Sequence, residues 1–260
     1  MSGALPGIPN FRDAGGLATG RLRPGRVFRS AQLSPLTDED SARLLDLDVR
    51  AVFDLRTSDE VQHRPDTLPG DLAATVLDVL ADRPHSGAAA VASLVTAKQD
   101  QTTIEDVNDA VSDGRAHDLM IETYRLLVSL PSAHSAYRTL LASIAHGEGA
   151  SVIHCTAGKD RTGWAIAVLQ RLSGASLDDV MADYLMSNAE MEGAYRPMLD
   201  SFAAAGGDAA SLSDMIFVRP EYLDAAVTLM HRVHGGLDDY LRTVLRLDSA
   251  TIDALRRRLA

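Results

Sequence analysis

Short apolar runs alternate with amphipathic stretches through the first 155 residues. Val27–Ser30 (VFRS), Val49–Leu55 (VRAVFDL), Ala73–Leu80 (AATVLDVL) and Ala150–Cys155 (ASVIHC) have the length and residue types of strands. The last is apolar almost throughout, which predicts burial on both faces. Between the first two lies TDEDSARLLDL, a helix with Thr37 as N-cap ahead of an acidic first turn. AHDLMIETYRLLVSL and PSAHSAYRTLLASIAHG carry apolar residues three and four apart, with Pro131 at a helix start and Gly147 at a helix end. After Arg161 the pattern is helical throughout, in SLDDVMADYLMSN, PEYLDAAVTLMHRV and GLDDYLRTVLRL. Strands alternating with helices predict an α/β layer fold. Asp82–Ala116 is polar, alanine-rich and short of aromatics, and reads as a mobile insertion with one or two weak helices in a single domain spanning 1–260.

Composition narrows the function. The chain has 260 residues, 46% of them hydrophobic, enough for a substantial core. It has no apolar run of membrane-spanning length and no signal-peptide start, so the expectation is a cytoplasmic protein with no integral membrane association. Export by a route without a signal peptide is compatible with that sequence. A net charge of −11 argues against a general partner among nucleic acids or anionic membranes. An anionic ligand therefore needs a local exception. Arg256, Arg257 and Arg258 form one, read as the dipole-matched last turn of a helix. The stronger one is HCTAGKDRTG, His154 to Gly163, which holds the only cysteine. One thiol makes no internal disulfide, and no Cys/His spacing builds a zinc site. Cys155 is thus structural filler, a redox sensor or a nucleophile.

The decapeptide joins the end of a buried strand to the start of a helix at RTGWAIAVLQRL. In that geometry the backbone N–H groups from Thr156 to Arg161 converge on one concavity, where the helix dipole adds positive character suited to a tetrahedral oxyanion. Ala157 and Gly158 permit close backbone approach, and Gly158 takes a positive φ without strain. Amides, helix terminus and the Arg161 guanidinium would all favour a Cys155 thiolate, as they do in reactive cysteines. The five intervening residues bring Arg161 back to grip two phosphate oxygens bidentately. Lys159 adds charge to the same loop. The Thr162 hydroxyl either stabilises the departing thiolate or is an ordinary first-turn residue. The chemistry is phosphoryl transfer through a phosphocysteine, with no metal and no cofactor required.

These residues resemble the HCX5R signature of cysteine-based phosphatases, and AGKDRTG is most similar to the atypical bacterial protein tyrosine phosphatase family of the mycobacterial type. NFRDAGG, RPGRVFRSAQLS, DLRTSDEV and ADYLMSN agree with that family in order along the chain. The resemblance implies a central mixed sheet flanked by helices, with extra helices forming a lid over the site. It implies a phosphorylated protein or phosphoinositide as substrate: phosphotyrosine first, with phosphoserine, phosphothreonine and phosphoinositides as extensions. It also implies that Lys159 meets a second phosphate, as in lipid-acting phosphatases.

The leaving group needs a proton, and two aspartates compete to give it. Asp160, inside the loop, resembles the in-loop acid of this family. Asp82, after the third strand, stands where other tyrosine phosphatases carry a mobile acid loop, without the expected proline-rich context. Geometry favours Asp160. Asp54 with Arg56, and Arg12 with Asp13, read equally as functional groups or as loop-bracing ion pairs. His154 reads as a hydrogen-bond partner of the loop. Met191, Met198, Phe202 and Met215 are the candidate lid residues. The rival readings are a rhodanese-like sulfurtransferase and a silent phosphate-binding module, neither of which explains the Cys155 to Arg161 spacing. An activated Cys155 is also expected to be accessible to oxidants.

Overall fold

A computed structural model describes residues 5–15, 22–83 and 104–260. Five strands form one mixed sheet, β1 (Arg12–Asp13), β2 (Val27–Ser30), β3 (Val49–Asp54), β4 (Ala74–Val76) and β5 (Ala150–His154), in the spatial order β1-β2-β5-β3-β4. Only β1 is antiparallel to its neighbour. The AATVLDVL run pairs over three residues and then turns, because Val79 and Leu80 leave the sheet to bury in the core. The two-residue β1 gave no pattern long enough to read as a strand.

Register is the feature that positions the site. Ser30 of β2 and Asp54 of β3 both pair with His154, so the three central parallel strands end at one level. In open α/β sheets that carboxyl edge is where ligands sit. All five residues of β5 are buried, as its apolar run predicts. Val152 and Ala150 face one core cluster with Leu5, Ile8, Phe11, Phe28 and Leu44, while Ile153 faces the larger helical core with Trp164 and Tyr124.

The helices follow the sequence pattern closely. α1 (Asp38–Asp46) starts at Thr37, whose hydroxyl accepts from Asp40 N while the Asp40 carboxylate accepts from Thr37 N. α2 (Ser58–His63) begins with the same reciprocal cap between Thr57 and Glu60. α3 (Ile104–Val111) is the described helix within the Asp82–Ala116 stretch; residues 84–103 of it lie outside the described residues. α4 (Arg115–Ser129) and α5 (Pro131–His146) meet at Leu130, with Pro131 and Gly147 at the expected ends. α6 (Arg161–Leu172) is buried at every position except Arg171, as a helix running through a core must be. α7 (Leu177–Ala204) follows, then α8 (Ala209–Ile216), α9 (Pro220–His234), α10 (Leu237–Asp239) with a π-helical turn over Tyr240–Val244, and α11 (Ser249–Leu259).

At 28 residues, α7 is long enough to serve two cores. Val180 and Tyr184 in its first half belong to the main core. Tyr195, Met198, Leu199 and Phe202 in its second half join Met215 and Ile216 of α8, Val111 of α3 and Ala116 of α4 in a separate apolar cluster. Met198, Phe202 and Met215 of the expected lid therefore share one cluster. Met191 is buried outside it.

Candidate active site

The loop after β5 is shaped by what holds its carbonyls. Thr156 O accepts from Gln32 N at 3.2 Å. The Asn10 amide donates to Ala157 O at 3.1 Å and Gly158 O at 2.9 Å, and Arg29 Nη2 adds a bond to Gly158 O at 2.8 Å. With the carbonyls tied outward, the N–H groups of Thr156 to Asp160 make no hydrogen bond to the described residues. They are free for an anion, at the N-terminus of α6. Gly158 has φ +68°, and a Cβ there would meet Ser30 O at 2.0 Å. Both conformation and space demand glycine.

Arg161 lies in the first turn of α6, nearly buried. Its Nη1 and Nη2 donate to the two oxygens of Glu60 at 2.6 and 2.8 Å, and Nη1 also reaches Leu55 O at 3.3 Å. Glu60 further accepts from Thr57 N at 2.8 Å and from the Thr156 hydroxyl. The guanidinium overrides the burial of Glu60 and holds its carboxyl well below the usual carboxylate range. The Glu60 carboxylate in turn raises Arg161 above its ordinary value. This fork–fork pair leaves Nε of Arg161 without a partner among the described residues.

Two buried ion networks brace the loop. Asp183 on α7 pairs with Arg29 Nη1 at 2.8 Å and Arg12 Nε at 3.0 Å, and Ser187 one turn on accepts from both arginines. Arg12 also donates to Asn10, the residue that ties the loop carbonyls. The two guanidiniums outweigh burial and lower Asp183. Behind the loop, Arg56 grips both oxygens of Asp54 and reaches Asp66 at 3.0 Å, and His154 Nε2 lies 3.0 Å from Asp66. His154 Nδ1 approaches Cys155 O at 3.4 Å. Asp54, Asp66 and His154 are close enough to ligate one metal ion, but the Arg56 guanidinium already donates to both carboxylates. The bracing reading of Asp54 and Arg56 describes what they do here.

Asp160 and Lys159 are turned toward each other. Lys159 Nζ is 2.9 Å from Asp160 Oδ2, and it donates to Met215 O of α8 at 2.9 Å. It is 5% exposed, so in this conformation it anchors the second helical cluster to the loop. Tyr124 donates to Asp160 Oδ1 at 2.8 Å, with the Tyr184 hydroxyl 2.7 Å behind it. Burial, then the Cys155 and Asp160 charges, push the Tyr195 phenol of α7 up to about 12. The Thr162 hydroxyl is buried without a hydrogen-bond partner. Asp82 is engaged elsewhere: its carboxylate accepts from Ser132 N at 2.6 Å, capping the first turn of α5. Cys155 is 2% exposed, so the expectation of an accessible thiol does not hold in this conformation.

The residues named from the sequence, Cys155, Thr156, Ala157, Gly158, Lys159, Asp160, Arg161 and Thr162, run from the end of β5 through the loop into the first turn of α6. Sequence reasoning did not identify Glu60, Asn10, Arg29, Asp183 or Tyr124 as partners. NFRD, DLRTSDEV and ADYLMSN contain Asn10, Glu60 and Asp183, so three stretches remote in sequence converge on one loop.

The comparisons with known proteins agree with this arrangement. The sequence model described as the tyrosine phosphatase family matches residues 4–260. A triple specificity protein phosphatase, PtpB, of Mycobacterium tuberculosis is 34% identical over 97% of this chain and 96% of its own. A tyrosine-protein phosphatase of Nostoc commune is 28% identical over 85% of this chain and 70% of its own. With a match that runs nearly end to end, the chain belongs to the tyrosine phosphatase family and is a phosphatase, a hydrolase.

Proposed function

We propose that Cys155 is the nucleophile of a phosphatase acting on phosphotyrosine. The observation that carries this reading is the ring of unpartnered amides from Thr156 to Asp160 around the Cys155 position, with the Arg161 guanidinium held by Glu60 at its rim. A phosphoryl group seated there receives backbone N–H bonds and the free Nε edge of Arg161, which together stabilise the charge on its non-bridging oxygens. The Cys155 sulfur attacks phosphorus and the ester P–O bond breaks. Asp160 gives its proton to the departing oxygen. Water then attacks the phosphocysteine, Asp160 takes the water's proton, and the thiolate leaves with its electron pair. The unpartnered Thr162 hydroxyl supports a role for it in stabilising that thiolate. No metal or cofactor takes part.

Substrate entry needs a rearrangement that exposes the buried Cys155, and the bond from Lys159 to Met215 O supports α8 as an element that moves in it. Once Lys159 is released, its charge is available to a second phosphate. This supports phosphoinositides as further substrates, and the triple specificity named for the mycobacterial relative supports extending the range to phosphoserine and phosphothreonine. Among the described residues no helix is long and apolar enough to cross a membrane. The capping bond of Asp82 to Ser132 supports Asp160 as the acid.

The test is hydrolysis of p-nitrophenyl phosphate by the wild type and Cys155→Ser, with aryl phosphates of graded leaving-group pKa for Asp160→Asn and Asp82→Asn. Cys155→Ser is expected to be inactive, and Asp160→Asn to lose about 10²–10⁴ in rate on the poorest leaving groups. Hydrolysis that survives Cys155→Ser refutes the covalent mechanism. A leaving-group-dependent loss in Asp82→Asn reassigns the acid.

A further inference from the structure

Four arginines line an open cleft of about 340 Å³ on a face away from the catalytic loop: Arg23, Arg26, Arg257 and Arg258, with Ala145 and Ala254 completing the lining. The cleft is built from three separate elements. Arg23 and Arg26 lead into β2, Ala145 is on α5, and Ala254, Arg257 and Arg258 are on α11. The helix dipole accounts for basic residues in the last turn of α11, but not for Arg23 and Arg26, which come from the sheet.

The cluster is held in place without being neutralised. Arg258 Nη2 donates to Gly149 O at 2.6 Å, and Arg23 N donates to Leu259 O at 2.6 Å, which fastens the two segments together. Arg256, on the same helix turn, pairs with Asp238 and Asp253. Arg23, Arg26, Arg257 and Arg258 have no ion-pair partner among the described residues. Glu148 is the acidic group whose charge acts on Arg258, and it lies outside the cleft lining. Burial first, and then the Arg26 charge, lower Arg258. In a chain of net charge −11, such a concentration of unpaired guanidiniums is a local reversal of the overall field.

The position separates this cleft from the substrate loop. Arg26 O accepts from Ser151 N, and Gly149 O from Arg258, so the arginines surround the amino ends of β2 and β5. The catalytic loop leaves the carboxyl end of β5, about 16 Å further along at the rise of a parallel strand. A ligand in the cleft therefore does not reach Cys155.

We propose that this cleft is a second anion site, specific for a compound bearing two or more phosphate groups. Planar guanidiniums on two facing sides suit bidentate contacts to adjacent phosphates, and a single monoanion would leave most of the cluster unneutralised. The same chemistry is offered by a soluble polyphosphate and by a polyphosphoinositide headgroup in a membrane.

Inorganic tripolyphosphate is titrated calorimetrically into the wild type and into the Arg26→Gln/Arg257→Gln variant, each with orthovanadate occupying the catalytic loop. Neither substituted side chain makes a hydrogen bond among the described residues, so the fold is expected to be retained, which thermal melts verify. The wild type is expected to bind one equivalent, weakened about a hundredfold in the variant, at roughly tenfold per arginine. Hydrolysis of p-nitrophenyl phosphate should stay within about twofold of wild type, since the sites are distant. Absence of binding, or binding unaltered by the double substitution, overturns the proposal. Co-sedimentation with phosphatidylcholine vesicles, with and without phosphatidylinositol bisphosphate and again with orthovanadate occupying the catalytic loop, separates the two sources. Vesicle capture lost in the variant supports the headgroup, and tripolyphosphate binding without vesicle capture supports a soluble ligand. Vesicle capture that survives the double substitution counts against the cleft.

Discussion

Replacing Glu60 by glutamine removes one charge from its nearly buried ion pair with Arg161 while keeping the side chain's shape. Glu60 is about 10% exposed and accepts two guanidinium bonds, at 2.6 and 2.8 Å, and one backbone bond at 2.8 Å. In Glu60→Gln an amide NH₂ must face a guanidinium N–H, and Arg161 is left as an uncompensated buried charge. Breaking such a pair costs about 3–5 kcal/mol. For a chain of this size that is a fall of roughly 6–20 °C in melting temperature. Because Arg161 also loses the brace that aims it, kcat/KM for p-nitrophenyl phosphate should fall by about a hundredfold, the scale of a 1 Å misplacement. The pH dependence follows from the direction of the Glu60 shift. Its carboxyl is held below the ordinary value of 4.5, so the stabilisation is complete above that pH and is lost as acid protonates the unfolded chain and then the folded one. Asp66 and Asp183 are also lowered, but they act in both proteins and cancel in the difference. Denaturant titrations from pH 3 to pH 8 should show a stability gap that is flat above about pH 5 and narrows below about pH 4.5. A gap under about 1 kcal/mol at pH 7, the worth of an exposed pair, refutes the reasoning. So does a gap that widens in acid.

Gly158→Ala should abolish hydrolysis, because the new Cβ meets Ser30 O at 2.0 Å and the +68° φ adds strain of about 1–3 kcal/mol. A variant with half the wild-type activity contradicts the claim that this loop tolerates no side chain there. Tyr124→Phe removes the 2.8 Å hydroxyl bond to Asp160 and strands the Tyr184 hydroxyl. The expected result is a fall in kcat that grows as the leaving group worsens, with a stability loss of about 1–3 kcal/mol. Equal effects on good and poor leaving groups would show that Tyr124 does not position the acid.

The catalytic loop was legible because its parts are local. A strand, a ten-residue loop and a helix start are contiguous, and the Cys155 to Arg161 spacing itself implies that the chain circles an oxyanion. Helix ends were legible for the same reason: Thr37, Pro131 and Gly147 act on neighbours within a turn. Glu60 shows where locality stops. Thr57 and Glu60 together signal a capping box, and that box forms, but the same carboxylate also holds Arg161, 101 residues away. Asn10 and Arg29 likewise grip Gly158 O across 148 and 129 residues.

By itself, then, the sequence determined four of the five strands, the helix ends at Thr37, Pro131 and Gly147, the burial of β5 and the excess of acidic charge. Each of these depends on periodicity or on groups a few bonds apart. Tertiary structure alone decided that Asp82 caps α5 while Asp160 stays at the loop, that Lys159 ties α8 over a buried Cys155, and that four arginines meet at the opposite edge of the sheet. Those outcomes rest on strand register and on helix packing between groups 50 or more residues apart in the chain. Pairing of buried charges is settled only when the chain has brought them within hydrogen-bond distance and removed the water between them.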